Sequence, residues 1–199
     1  MNKEWSELNK TMQAQIKKKD TYKMGIDTLF NLRRQLMQTL VSFKEDLCRE
    51  DFNAIPFINA DGYHSKTIAY SIWHIFRIED IVAHTVITED EQVFFTGNYQ
   101  VRINSPIITT GNELVKQQIA DFSKQLNLEE LYSYIFEVRE STEKILERFS
   151  YDELKWKIPD ERKGYLKSLN VVNCDEKAIW LIDYWCSKDI RGLIQMPFS

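Results

Sequence analysis

Ile68-Ala69-Tyr70-Ser71-Ile72-Trp73-His74-Ile75-Phe76-Arg77-Ile78-Glu79-Asp80-Ile81-Val82 sets apolar residues three, four and seven apart, at Ile68, Ile72, Ile75 and Val82, and Val86 extends the series. That period belongs to a helix with one buried face, whereas a strand would alternate every second residue. Glu79 is the one interruption of the stripe. The turn-rich Asn59-Ala60-Asp61-Gly62 precedes the segment, and Ser65 is positioned to cap it.

The same period recurs on both sides. Trp5, Leu8, Met12 and Ile16 form a narrow stripe opposite Lys10, Lys17, Lys18 and Lys19, so residues 1–20 read as an amphipathic helix strapped onto a larger body. From Gly25, the residues Ile26, Leu29, Leu36, Leu40, Phe43 and Leu47 keep the spacing long enough for a bundle helix, with Arg33 as its only gap. Asn127 caps a third long helix that turns Leu131, Ile135, Val138, Ile145 and Phe149 inward. Ser150-Tyr151-Asp152-Glu153 has the form of a capping box, and Pro159 breaks the pattern after it. A fourth helix starts near Asp175 and carries Ala178, Ile182, Trp185 and Leu193 inward until Pro197. Between Glu89 and Asn112 the period fades among Gly97-Asn98, Ser105-Pro106 and Gly111-Asn112. This stretch reads as a long crossover, followed by a helix over Glu113 to Gln125. The fold class is all-α, a four-helix bundle with a long crossover and short accessory helices, in one domain over residues 1–199.

Bulk composition narrows the function. A formal charge of −4, with 26 Lys and Arg against 30 Asp and Glu, argues against nucleic acid, which demands a concentrated basic face. No apolar run approaches the roughly 18 residues of a membrane span, and the first residues lack the apolar run of a leader, so the expectation is a soluble cytoplasmic protein. Cys48, Cys174 and Cys186 are odd in number and lack a C-x-x-C pattern, so they read as reduced structural thiols, not as a disulfide or zinc framework.

Only three histidines are present, His64, His74 and His84. His74 sits beside the apolar stripe and is expected to be partly buried, where each imidazole nitrogen needs a partner. His84 lies ten residues on, about 15 Å along a helix, too far to share one ion with His74, and it reads as a boundary residue, as does His64. Glu79, Asp80, Asp183 and Asp189 are the carboxylates that could join His74 in a mixed nitrogen and oxygen site. The competing reading pairs Arg33 with Glu79, because each occupies a position where its stripe calls for an apolar residue. Trp73, Trp180, Tyr184 and Trp185 read as core or dimer-interface aromatics. No Gly-rich phosphate loop, serine nucleophile elbow or H-E-x-x-H pattern is present.

Several landmarks together resemble one branch of the DinB/YfiT-like proteins. They are Ile72-Trp73-His74-Ile75 running into Arg77-Ile78-Glu79-Asp80, then Gln92-Val93, Thr96-Gly97-Asn98-Tyr99 and Thr110-Gly111-Asn112. Leu181-Ile182-Asp183-Tyr184-Trp185 and Gly192-Leu193-Ile194-Gln195-Met196-Pro197 continue the likeness, which spans about residues 25 to 199. The resemblance implies a four-helix bundle, a homodimer, and a divalent transition metal, zinc or nickel, that serves a hydrolase or thiol transferase. It implies one ligand from the second helix, which His74 matches, and two more from an H-x-x-x-H pair expected just after Met196-Pro197. This sequence ends at Phe198-Ser199 without that pair. The expectation is therefore an incomplete metal site with His74 as its remaining ligand position, in a truncated product or in a member whose site is lost. The alternatives are a non-catalytic helical homodimer and a small-molecule-binding bundle in which His74 and Glu79 line a polar pocket.

Overall fold

The computed structural model describes residues 3–55 and 66–196. His64, the Ser65 cap, the Asn59 to Gly62 turn and Pro197 lie outside the described residues. Among those described, the chain is all helix with no strand, and its only β-type pairing is an isolated bridge between Lys157 and Asp189. The helices are α1 (Lys3–Ile16), α2 (Tyr22–Asp46), α3 (Arg49–Asn53), α4 (Ile68–Asp80), α5 (Val93–Thr96), α6 (Tyr99–Arg102), α7 (Gln117–Gln125), α8 (Leu128–Leu146), α9 (Arg162–Ser168), α10 (Glu176–Cys186) and α11 (Ile190–Ile194). No helix among them is long and apolar enough to cross a membrane.

α1 folds back along α2, as its Met12–Ile16 stripe requires, since both residues are fully buried. Gly25 makes the approach possible. A Cβ there would stand 2.7 Å from the backbone nitrogen of Ile16 and 2.9 Å from its Cα, a clash with main chain that cannot swing aside. α2 buries Leu29, Leu32, Met37 and Leu40, and α8 packs against α4 with Leu131, Ile135, Val138 and Ile145 inward.

Caps set several boundaries. Thr67 opens α4 by accepting from the Tyr70 amide, two residues beyond the expected Ser65. Asn127 accepts from the Glu129 and Glu130 amides, and Asp175 from that of Lys177. Ser150 and Glu153 form the reciprocal box, the Ser150 amide donating to Glu153 Oε2 at 2.7 Å, and open a 3₁₀ turn over Glu153–Lys155.

Three expectations are corrected. The fourth long helix is two helices, because Asp189 caps a new start by accepting from the Gly192 amide and so separates α11 from α10. The stretch between Glu89 and Asn112, where the fading helical period predicts a long connection with at most one short helical turn, contains two short helices, α5 and α6. Cys48 and Cys174 are exposed free thiols, so the apolar character of cysteine does not decide their place.

The second long helix also changes winding. Beyond Asp80 the backbone runs as a π-helix over Ile81–Thr88 and ends at Glu89, whose φ of 61° is left-handed. Arg162 stabilises this segment from α9. Its Nη1 donates to the carbonyls of Thr85 (2.7 Å) and Val86 (2.8 Å), and its Nη2 reaches Glu89 Oε2 at 2.7 Å. Wider winding displaces carbonyls from their usual amide partners, and a buried guanidinium fills that need.

The core has two lobes. One gathers around Trp185 with α1, the start of α2 and the π-helical segment; the other gathers around Trp73 with α4, α8 and the crossover. Trp180 and Tyr184, by contrast, stand 49% and 37% exposed and pack edge-to-face on each other.

Two of the landmark residues, Arg77 and Asp80, hold the segment after the π-helical stretch to α4. Arg77, fully buried, donates Nη2 to Gln92 Oε1 and to the Ile108 carbonyl, both at 2.7 Å, and lies 4.4 Å from the Phe94 ring centroid. Asp80 accepts from the amides of Val93 and Phe94, both at 2.9 Å, and from the Tyr134 hydroxyl at 2.8 Å. A carboxylate at the start of α5 satisfies amides that the short helix leaves unpaired.

Candidate functional site

His74 projects from α4 beside the Thr110-Gly111 turn of the crossover. Its Nδ1 lies 2.7 Å from the Thr110 carbonyl oxygen. A carbonyl only accepts, so Nδ1 carries the proton and Nε2 of the neutral ring keeps a free lone pair. Burial pushes the His74 pKa down to about 4, the Lys66 charge adds to that effect, and the Thr110 carbonyl opposes it. The ring is therefore a neutral acceptor near pH 7.

Tyr70 fixes the ring from one side, stacked on it at 5.4 Å between centroids and 11° between planes. The Tyr70 hydroxyl donates to the Gly111 carbonyl at 2.9 Å. Gly111 has a φ of +76°, and a Cβ there would meet Tyr70 Cε2 at 3.1 Å, so the turn that receives both rings depends on a glycine. The Thr110-Gly111-Asn112 landmark thus positions His74, a role that its composition alone did not reveal.

A cavity of about 430 Å³ opens against His74. Its walls are mainly apolar, from Ile75, Ile78, Val82, Ile145, Leu193 and Ile194, with Lys66 and Ser71 at hand. Thr142 also lines it, and its Oγ1 is buried with no hydrogen-bond partner among the described residues. An orphaned hydroxyl in a mainly apolar wall is a cost that a ligand can relieve.

Arg33 and Glu79 also border this cavity, paired as their places in the two stripes predict. Arg33 Nη2 to Glu79 Oε1 is 2.6 Å and Nη1 to Oε2 is 3.1 Å, with both side chains 4% exposed. Burial works against the Arg33 charge, yet Glu79 and Glu143 together hold its pKa above the ordinary value. Glu79 is thus committed to a cation and does not serve as a ligand beside His74.

The other carboxylates considered for that role are also elsewhere. Asp80 is enclosed by Arg77, Tyr134 and the α5 amides, Asp183 pairs with Lys163 at the surface, and Asp189 caps α11. Among the described residues no group of three or more His, Cys, Asp or Glu side chains converges on a position for an ion. His74 offers one nitrogen, and a divalent transition metal needs three or four donors. The donor set among the described residues does not fit the metal that the resemblance implies.

His84 corrects a further expectation. It is buried, not at a boundary, because the π-helical winding turns it toward α8. Its Nδ1 lies 2.7 Å from Asp90 Oδ1, and its Nε2 lies 3.0 Å from Ser141 Oγ and 4.0 Å from Asp80 Oδ1. The Asp90 amide donates back to the His84 carbonyl at 3.0 Å, and Thr88 Oγ1 donates to Asp90 Oδ1 at 2.6 Å, which fixes the carboxylate. No local signal in the sequence links Ser141 to His84, which it meets only through the packing of α8 on the π-helical segment.

Comparison of the chain with protein-family models and with curated proteins found no match in either case.

Proposed function

We propose that the chain is a helical-bundle binding protein whose cavity beside His74 takes a small, largely apolar molecule bearing an O–H or S–H donor. The observation that carries this reading is the pairing of an unoccupied acceptor, His74 Nε2, with an orphaned hydroxyl, Thr142 Oγ1, on the walls of one mainly apolar cavity. Apolar walls supply affinity and the few polar groups set orientation. We place the cavity in a DinB-like four-helix arrangement of α2, α4 with its π-helical extension, α8 and α10, crossed over through α5 to α7.

2-Naphthol, an apolar body with one acidic hydroxyl, tests the proposal through its fluorescence. Saturable binding is expected in wild type, weakened several-fold in His74→Ala and abolished in Ala83→Phe, which fills the cavity. Equal binding in all three would overturn it.

A second reading, a metal-dependent hydrolase or thiol transferase, draws on the way the Thr110 carbonyl fixes the Nδ1 tautomer and leaves Nε2 available, the arrangement that ligating histidines use. It requires donors beyond those described. Stoichiometric zinc or nickel in tag-free protein, lost in His74→Ala, would favour it over simple binding. The homodimer that accompanies this reading would use the exposed Trp180 and Tyr184 pair, and a concentration-independent monomer mass would refute it.

A further inference from the structure

The contacts of His84 define its chemistry. A carboxylate only accepts, so the His84 nitrogen facing Asp90 is the donor, and in that tautomer Nε2 is the acceptor for the hydroxyl proton of Ser141. Several helix hydroxyls bond backward to the carbonyl four residues earlier, as Ser133 does to Glu129 and Ser123 to Ile119. Ser141 departs from that habit. Its hydroxyl is aimed at an imidazole whose far nitrogen is held by a carboxylate, the nucleophile, base and orienting group of an acyl-transfer site.

These groups open into a second cleft of about 550 Å³, lined also by Thr96, Glu137, Glu140 and Lys144. Lys144, three residues beyond Ser141, lines the same cleft and is paired with Glu140 at 2.6 Å. Three glutamates, Glu91, Glu137 and Glu140, face the cleft against one lysine, which favours neutral or cationic substrates. The cleft is separate from the cavity beside His74 and shares no lining residue except through the helix that both border.

We propose that Ser141, His84 and Asp90 form a hydrolytic site for small neutral or cationic esters. Ser141 Oγ bonds to the ester carbonyl carbon while His84 Nε2 takes the hydroxyl proton. The bond to the leaving alkoxide then breaks, and His84 returns the proton to it, releasing the alcohol. Water attacks the acyl-serine with His84 again as base, releasing the acid and restoring Ser141, so one ester and one water give one acid and one alcohol. Asp90 is a positioning residue that keeps the Nδ1 proton in place. Backbone amides around Ser141 belong to the interior of α8 and are committed to its own carbonyls, so Lys144 is the charge available to the developing oxyanion. Catalysis without a pair of amide donors is modest, on the order of 10²-fold over the serine-free protein.

A biotinylated fluorophosphonate, which bonds only to activated serine hydroxyls, tests the proposal on the full chain, with p-nitrophenyl acetate as a second probe. Mass spectrometry is expected to place the phosphonate and an acetyl group on Ser141, with both lost in Ser141→Ala and in heat-unfolded protein. Asp90→Asn, a change at a largely exposed carboxylate that leaves the core intact, is expected to slow labelling at least ten-fold at unchanged thermal stability, and Asp90→Glu to restore part of it. Labelling absent from folded wild type, or equal in wild type and Asp90→Asn, would overturn the proposal and leave the three residues as a fastener between α8 and the π-helical segment.

Discussion

Both terminal nitrogens of Arg33 meet the two carboxylate oxygens of Glu79, at 2.6 and 3.1 Å, and tie α2 to α4 in the protein interior. Removing one partner leaves the other charge buried without its counter-ion, whereas removing both leaves two residues of tolerable shape. Arg33→Met and Glu79→Gln are each expected to cost about 3 kcal/mol or more, and the double variant to recover about 2 kcal/mol of their sum. Urea titration of the four proteins measures the coupling. Strict additivity would mean that the pair is not an energetic unit.

That pair was legible because a charge in an apolar stripe calls for a partner, and two stripes each carried one. Caps were legible for the same local reason: Asn127, Asp175 and the Ser150–Glu153 box act within four residues of themselves. The break at Asp189 had a local signal too, an aspartate three residues before Gly192, but the apolar series running on to Leu193 concealed it. The π-helical segment had none. Its winding depends on Arg162, more than seventy residues away, and the position of His84 follows from that winding. Arg77 and Asp80 show the opposite limit, since their place in a run of landmarks was visible in the sequence while their work, anchoring the segment around Val93, Phe94 and Ile108 to α4, required the fold.

Neutral His74 makes the fold sensitive to acid. Burial lowers its pKa to about 4 from an ordinary 6.5, so between those values the unfolded chain binds a proton that the folded chain refuses. Stability carried by the neutral ring is complete above about pH 6.5 and is lost as pH falls toward 4, an interval worth at most about 3 kcal/mol. His74→Gln keeps a donor for the Thr110 carbonyl and cannot titrate there. Guanidinium unfolding at pH 7 and pH 4.5 is expected to show the wild type losing more stability than the variant. A pH-independent difference between the two would refute the assignment of a buried neutral ring.

Thr142 separates the needs of the empty fold from those of a ligand. Its buried hydroxyl lacks a partner among the described residues, and valine has nearly the same shape without the polar atom. Thr142→Val is therefore expected to stabilise the protein by about 1 kcal/mol while weakening 2-naphthol several-fold. Thermal unfolding with and without the probe reads both effects. Destabilisation would show that the hydroxyl is satisfied in solution and that the cavity wall is not waiting for a polar group.

Arg162 links the C-terminal helices to the winding on which the second cleft depends. Its guanidinium accounts for the buried carbonyls of Thr85 and Val86, and methionine fills similar volume without donating to either. Arg162→Met should cost about 2 to 4 kcal/mol, since two buried acceptors lose charge-assisted bonds. The loss should also be local. Amide exchange over Ile81–Thr88 is expected to accelerate more than exchange in α8, because the wider winding loses its external donor while the α4–α8 packing of the other lobe stays in place. Fluorophosphonate labelling of Ser141 should fall in the same variant, because His84 then relaxes with the segment that carries it. Uniform acceleration across both lobes would instead place Arg162 in global stability alone, with no particular hold on the π-helical turn.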